Sequence, residues 1–124
     1  MILKDTFYTI NTLKFEDNVL EAAISIDPKH PIYEGHFPDN PVTPGVVQLE
    51  LVKEILGTQF NQTVQLKTLA TSKFLAVLNP VHTPEATFKM TVTEQEDQTL
   101  KVSGQLSTSE GVCLKFSGIY QLTT

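Results

Sequence analysis

Residues 43–57, TPGVVQLELVKEILG, constrain the fold of this chain more than any other stretch. At about 100° per residue, Val47, Leu49, Leu51, Val52, Ile55 and Leu56 cover a broad apolar arc of a helix. An arc that wide needs a helix wrapped by other structure, not one resting on a flat surface. Thr43 is placed to cap this helix, and Pro44 suits its first turn, where a missing N–H costs nothing. Gly57 is placed to end it as a C′ residue. The rest of the chain reads as β-structure. Phe7 to Leu13 is a short strand. Val19 to Ile26 alternates, with Leu20, Ala22, Ile24 and Ile26 on one side and Glu21 and Ser25 on the other. Gln65 to Val77 is a long strand with imperfect alternation. Phe88, Met90 and Val92, then Leu100, Val102 and Leu106, then Val112, Leu114, Phe116, Gly118 and Tyr120 mark three more strands. Cys113, Lys115 and Ser117 are expected on the opposite face of the last one. The turn-like stretches EQEDQ and TSEG join these three into an antiparallel meander. The expectation is a single α+β domain over 1–124, a curved antiparallel sheet of about six strands around one long central helix.

Composition removes several classes of function. The net charge is −5 and all nine basic residues are lysines. An acidic chain without arginine is poorly suited to nucleic acid, which is held by basic patches facing phosphate. The sequence holds no Cys/His cluster of the kind that binds zinc, no glycine-rich phosphate loop and no apolar run long enough for a membrane span. Lys4 and Asp5 interrupt the place where a secretory apolar run would sit, so a cytoplasmic location is expected. Cys113 is the single cysteine and reads as a small apolar strand residue.

The chemistry gathers in GHFPDNPVTPGVVQLE, residues 35–50. His36 stands near its start and Glu50 at its end. Each has an ordinary reading. A histidine in a Gly-His-Phe-Pro loop serves as a hydrogen-bonding loop residue. Glu50 falls beside Lys53 and Glu54 on the helical wheel, and Glu50–Lys53 is an i,i+3 pair worth a few tenths of a kcal/mol. Gln48 interrupts the apolar arc and needs a buried partner. His30 and His82 read as loop residues, and Tyr33 and Phe37 as packing aromatics beside a proline-rich loop.

This stretch resembles the signature of the 3-hydroxyacyl-(acyl carrier protein) dehydratases, a hot-dog-fold family whose pattern is approximately GHFPxxPxxPGVxxxE. Gly35, His36, Phe37, Pro38, Pro41, Pro44, Gly45, Val46 and Glu50 match it in register. The resemblance implies a lyase of fatty-acid or specialised polyene or lipid biosynthesis, which converts a 3-hydroxyacyl thioester to the trans-2-enoyl form. It implies no cofactor, since an acyl carrier protein brings the substrate on a phosphopantetheine arm. It also implies a homodimer, or a larger assembly of such dimers, joined edge to edge through the sheets. The acyl tunnel lies at that interface, with His36 supplied by one subunit and Glu50 by the other. Tyr33 and Phe37 become candidate tunnel residues. A neutral imidazole is suited to removing the C2 proton. The N–H groups of Gly45 and Val46, at a helix start, are suited to a thioester oxygen gaining negative charge. Glu50, as an acid or through a water, is suited to the departing hydroxyl. Two other readings stay open: a hot-dog acyl thioesterase, and a non-catalytic acyl-carrier-binding subunit.

Three features depart from the family pattern. The chain reaches its first strand almost at once, residues 79–87 read NPVHTPEAT where a Val-x-Pro-Gly-Asp turn is usual, and Glu54 stands where glutamine is common. Two carboxylates at i,i+4 repel, which favours a proton on one of them. Lys67 and Lys73 border the long strand and are candidate contacts for an acidic carrier.

Overall fold

The structure is a computed structural model that describes residues 2–34 and 41–123. Among these residues six antiparallel strands form one sheet curved around a single long helix, the hot-dog arrangement. The strands are β1 (Tyr8–Glu16), β2 (Val19–Ile26), β3 (Thr63–Phe74), β4 (Glu85–Glu94), β5 (Thr99–Thr108) and β6 (Gly111–Thr123), and the helix α1 (Gly45–Phe60) lies between β2 and β3 in the chain. Their spatial order is β1-β2-β4-β5-β6-β3. The last three strands in sequence form the expected meander, and β3 closes one edge against β6. Alternation built this sheet as the sequence suggests. Leu20, Ala22, Ile24 and Ile26 are buried, as are Phe88, Met90, Val92, Leu100, Val102, Leu106, Leu114, Phe116 and Tyr120. Against them packs the apolar arc of α1: Val47, Leu51, Val52, Ile55 and Leu56 are buried.

Four local expectations are corrected. Thr43 does not cap α1. The cap position falls on Pro44, which makes no side-chain cap bond, and the Thr43 hydroxyl is engaged elsewhere. Gly57 does not end the helix either. The last turn runs to Phe60, and Asn61 takes the left-handed conformation at φ 54°. Asparagine tolerates that region, so it performs the reversal that glycine was expected to make. Gly57 is small for another reason. A β-carbon there would lie 2.8 Å from the Gln62 carbonyl oxygen as the chain turns back. The long strand ends at Phe74 and carries two register shifts, between Leu66 and Thr68 and between Leu69 and Thr71. Each bulge inserts one residue and flips the alternation, which is why the sequence pattern there is irregular. Finally, Cys113 is buried together with Leu114, because a shift between Leu106 and Ser107 breaks the alternation of β6.

The edge strand β3 has an unusual surface. All its residues but Val64 are exposed, including Leu66, Leu69 and Phe74. Leu75, Val77 and Val46 continue this apolar band.

Candidate active site

The start of α1 combines free donors with close access. The N–H groups of Val47 and Gln48 both donate to the Pro44 carbonyl. Those of Gly45 and Val46 find no acceptor among the described residues. Unpaired amides and the positive end of the helix dipole together favour anionic character at this point. The Phe74 ring lies against Gly45, where an added β-carbon would come within 2.6 Å of the ring tip. Phe74 is half-exposed and Val46 is 77% exposed, so the apolar groups over these amides lie on an open side of the chain.

Glu50 sits just over one turn further along α1. Its side chain is 26% exposed and pairs with Lys53 at 3.4 Å, the i,i+3 contact expected from the wheel. It also borders an open groove of ≈ 590 Å³ together with Lys53, Glu54, Ile2 and Lys4. This groove runs toward the C-terminal end of α1, past Gly57 and Asn61, and Gly45, Val46 and Phe74 do not line it.

Glu54 has a different occupation from the one expected. Its carboxylate accepts the backbone N–H groups of Leu3 and Lys4 at 2.8 Å each, and the Tyr8 hydroxyl at 3.2 Å. It ties the segment before β1 onto the helix. Burial first, and then the negative charge of Glu54, push the Tyr8 phenol well above the ordinary tyrosine range. Sequence reasoning missed this connection because it spans 46 to 51 residues of chain, and no local pattern marks it.

Among the other residues singled out, Tyr33 is buried and its hydroxyl lies 2.7 Å from the Thr43 hydroxyl. Burial pushes its phenol up to about 12, with the Thr43 hydrogen bond working against that rise. Gln48 is buried, and its amide N–H donates to the Thr43 carbonyl at 3.1 Å. Its Oε1 finds no donor among the described residues. His36 and Phe37 lie outside the described residues. His30 caps a short 3-10 turn, accepting from the Ile32 N–H through Nδ1. His82 donates its backbone N–H to Asn79 in the turn after β3. That turn is organised by Asn79, whose side chain accepts the Val81 N–H, in place of the usual glycine. Lys73 faces outward on β3 directly opposite Lys115 on β6, which in turn faces Gln105 on β5. Neither lysine has an ion-pair partner among the described residues. Lys67 is the extra residue of a bulge. No group of three or more metal-binding side chains occurs among the described residues, and no helix of the structure is long and apolar enough to cross a membrane.

Comparison with known proteins agrees with this architecture. The 3-hydroxyacyl-[acyl-carrier-protein] dehydratase FabZ of Rickettsia canadensis (strain McKiel) is 33% identical over 92 residues, a match covering 62% of this chain and 62% of that protein. The chain thus spans about three fifths of this relative's length. Among solved structures, the dehydratase heterocomplex ApeI:P from Xenorhabdus doucetiae aligns with a TM-score of 0.62 at 20% identity, covering 93% of this chain and 96% of that one. A hypothetical thioesterase with coenzyme A from Streptococcus pneumoniae TIGR4 aligns at 0.64 and 14% identity, covering 94% and 85%. At those identities the structures speak for the hot-dog fold alone. A family model described as ApeI-like, ApeI dehydratase, matches residues 11–113, from β1 into β6. The chain belongs to this ApeI-like dehydratase family.

Proposed function

We propose that the protein is a dehydratase acting on 3-hydroxyacyl thioesters carried by an acyl carrier protein. His36 removes a proton from C2. The electron pair left behind forms the C2–C3 double bond as the C3–O bond breaks. The departing oxygen takes a proton from Glu50, directly or through a water, and leaves as water. Negative charge passing through the thioester oxygen is met by the N–H groups of Gly45 and Val46. The observation that carries the reading is the start of α1: two amides at a glycine that find no acceptor among the described residues, on an open side of the chain, with the Glu50 carboxyl group just over one turn away. Membership of a dehydratase family supports the reaction type. Thioester hydrolysis would need the same donors but an attacking water, and the histidine-containing signature at residues 35–50 favours dehydration.

The site is completed by a second hot-dog chain. The apolar band along the unpaired edge of β3 supports this, because exposed edge strands with Leu66, Leu69 and Phe74 invite a further strand. We place a second copy there, with Tyr33 and Phe37 near the acyl path and Glu50 reaching the partner's histidine loop. The carrier is supported by the Lys73–Lys115 pair. Like charges directly opposite on a sheet destabilise each other, and an anion bridging them removes that cost. Changing both to glutamate is expected to raise KM for carrier-borne substrate far more than for a short pantetheine thioester.

The central test uses purified protein, a 3-hydroxyacyl thioester and ultraviolet detection of the enoyl product. His36→Ala and Glu50→Gln are each expected to abolish product while the dimer persists in sedimentation. Mixing and refolding the two variants together is expected to restore part of the activity, since one class of mixed dimer carries an intact pair. Free thiol in place of enoyl product would show hydrolysis. Full activity in either single variant, or no recovery in the mixture, would remove the assigned roles.

A further inference from the structure

Thr43 is held from three directions. Its N–H donates to the Leu78 carbonyl at 2.9 Å, in the segment that follows β3. Its carbonyl accepts from the Gln48 side chain at 3.1 Å, and its hydroxyl meets the Tyr33 hydroxyl at 2.7 Å. All three polar groups of one residue are thus engaged by three separate segments, and Thr43, Tyr33 and Gln48 are respectively 2%, 4% and 3% exposed. Buried polar groups of this kind are costly unless satisfied, so the arrangement is specific as well as stabilising. Tyr33 is itself fixed. Its ring packs against Phe7 at 5.7 Å, and the 3-10 turn Pro31–Tyr33 that carries it is capped by His30. The phenol oxygen therefore arrives at Thr43 from a rigid base.

The consequence falls on the next two residues. Pro44 has its φ locked by its ring, at −58°, with ψ at 148°. Between the anchored Thr43 and the Gly45 N–H little torsional freedom remains. Elsewhere in α1 the helical ladder itself orients each N–H, but the first amides lack that constraint. Something outside the ladder has to aim them, and among the described residues no side chain caps this helix.

We propose that Tyr33 and Thr43, with Gln48, form a brace that aims the Gly45 and Val46 amides at the thioester oxygen. They are positioning residues that touch no reacting atom. This assignment rests on the dehydratase reading and extends it to residues the signature does not specify. It also gives polar Gln48 a reason to interrupt the apolar arc: one end of its amide holds the Thr43 carbonyl.

The test compares Tyr33→Phe, Thr43→Val and Thr43→Ser, each assayed well below its melting temperature. Tyr33→Phe and Thr43→Val are expected to lower kcat about tenfold with KM changed less than twofold, because a misaimed donor fails chiefly when charge develops. Thr43→Ser keeps the hydroxyl and is expected to retain wild-type kcat. The double variant Tyr33→Phe/Thr43→Val is expected to be no slower than either single one, since both remove one shared bond. A fall in melting temperature with unchanged kcat, or additive losses in the double variant, would overturn the brace. A second readout keeps this separate from the assigned reaction. Backbone order parameters of the Gly45 and Val46 amides, from 15N relaxation, are expected to fall in Tyr33→Phe and recover in Thr43→Ser. If wild-type protein makes no enoyl product but the amides loosen as stated, the dehydratase reading fails and the brace stands. Unchanged order parameters would overturn the brace even in an active enzyme.

Discussion

Replacing Glu54 by glutamine is the most informative single perturbation, because it places the dehydratases' commoner residue into a site this chain has adapted to a carboxylate. The carboxylate accepts three donors: the Leu3 and Lys4 N–H groups at 2.8 Å and the Tyr8 hydroxyl at 3.2 Å. Leu3 donates to one oxygen, while Lys4 and Tyr8 share the other. A glutamine can turn its single oxygen toward only one of these sides. The better choice faces Lys4 and Tyr8, which leaves an NH2 group opposing the Leu3 N–H. An unsatisfied buried donor costs about 1–3 kcal/mol, and two hydrogen bonds weakened from charged to neutral lose up to about 1 kcal/mol each. Glu54 and its partners are only partly buried, which moves the expectation to about 2–3 kcal/mol in total. For a chain of this size that corresponds to a melting temperature lower by about 8–12 °C. Thermal unfolding by circular dichroism measures the fall, and hydrogen exchange locates it: the Leu3 and Lys4 amides should lose protection, while core amides of β4 and β5 keep theirs at low denaturant. The Tyr8 phenol should titrate at lower pH than in the wild type, because one of the charges raising it has gone, while burial keeps it above the ordinary value. A melting temperature within 2 °C of wild type, or unchanged protection at Leu3 and Lys4, would refute the view that Glu54 is an anchor for the segment before β1.

Three further outcomes follow from the same geometry. Gly45→Ala should leave stability nearly unchanged. The gain of up to about 1 kcal/mol in helix propensity is offset by displacement of the Phe74 ring, and enoyl formation should fall at least tenfold because the methyl group and the moved ring obstruct the amides; an active variant would show that the approach to these amides does not need the space glycine leaves. Tyr120→Phe should be neutral or stabilising by about 1 kcal/mol in urea titration, since the buried Tyr120 hydroxyl has no partner among the described residues, and a clear loss would reveal one. Burial raises both Tyr33 and Tyr120 from 10 to about 12. Their stabilisation is complete below pH 10 and is lost as pH rises from 10 toward 12, by about 1.4 kcal/mol per pH unit for each group. Melting temperature should therefore be flat up to pH 9 and fall steeply beyond 10, with a shallower fall in Tyr33→Phe or Tyr120→Phe; equal slopes in all three proteins would contradict the assignment.

The sequence by itself determined the architecture. Strict alternation from Val19 to Ile26, and again through Phe88, Met90 and Val92, fixes which face of each strand enters the core, because a one-residue slip would expose the whole set. The wide apolar arc of α1 required a sheet on more than one side. The signature at residues 35–50 singled out the stretch proposed to bear the site, since its prolines, glycines and polar residues stand at fixed spacings along one continuous segment. Tertiary structure decided the rest, wherever partners are far apart in the chain. Glu54 looked like a neighbour of Glu50 on a wheel, yet its charge is engaged by Leu3, Lys4 and Tyr8 across nearly half the sequence. Thr43 looked like a helix cap, yet its hydroxyl is engaged by Tyr33. The end of α1 moved from Gly57 to Asn61, because the packing of the returning chain, not the local preference of glycine, set where the helix could stop. Periodicity reports which way a side chain points; only the folded chain determines what it meets there.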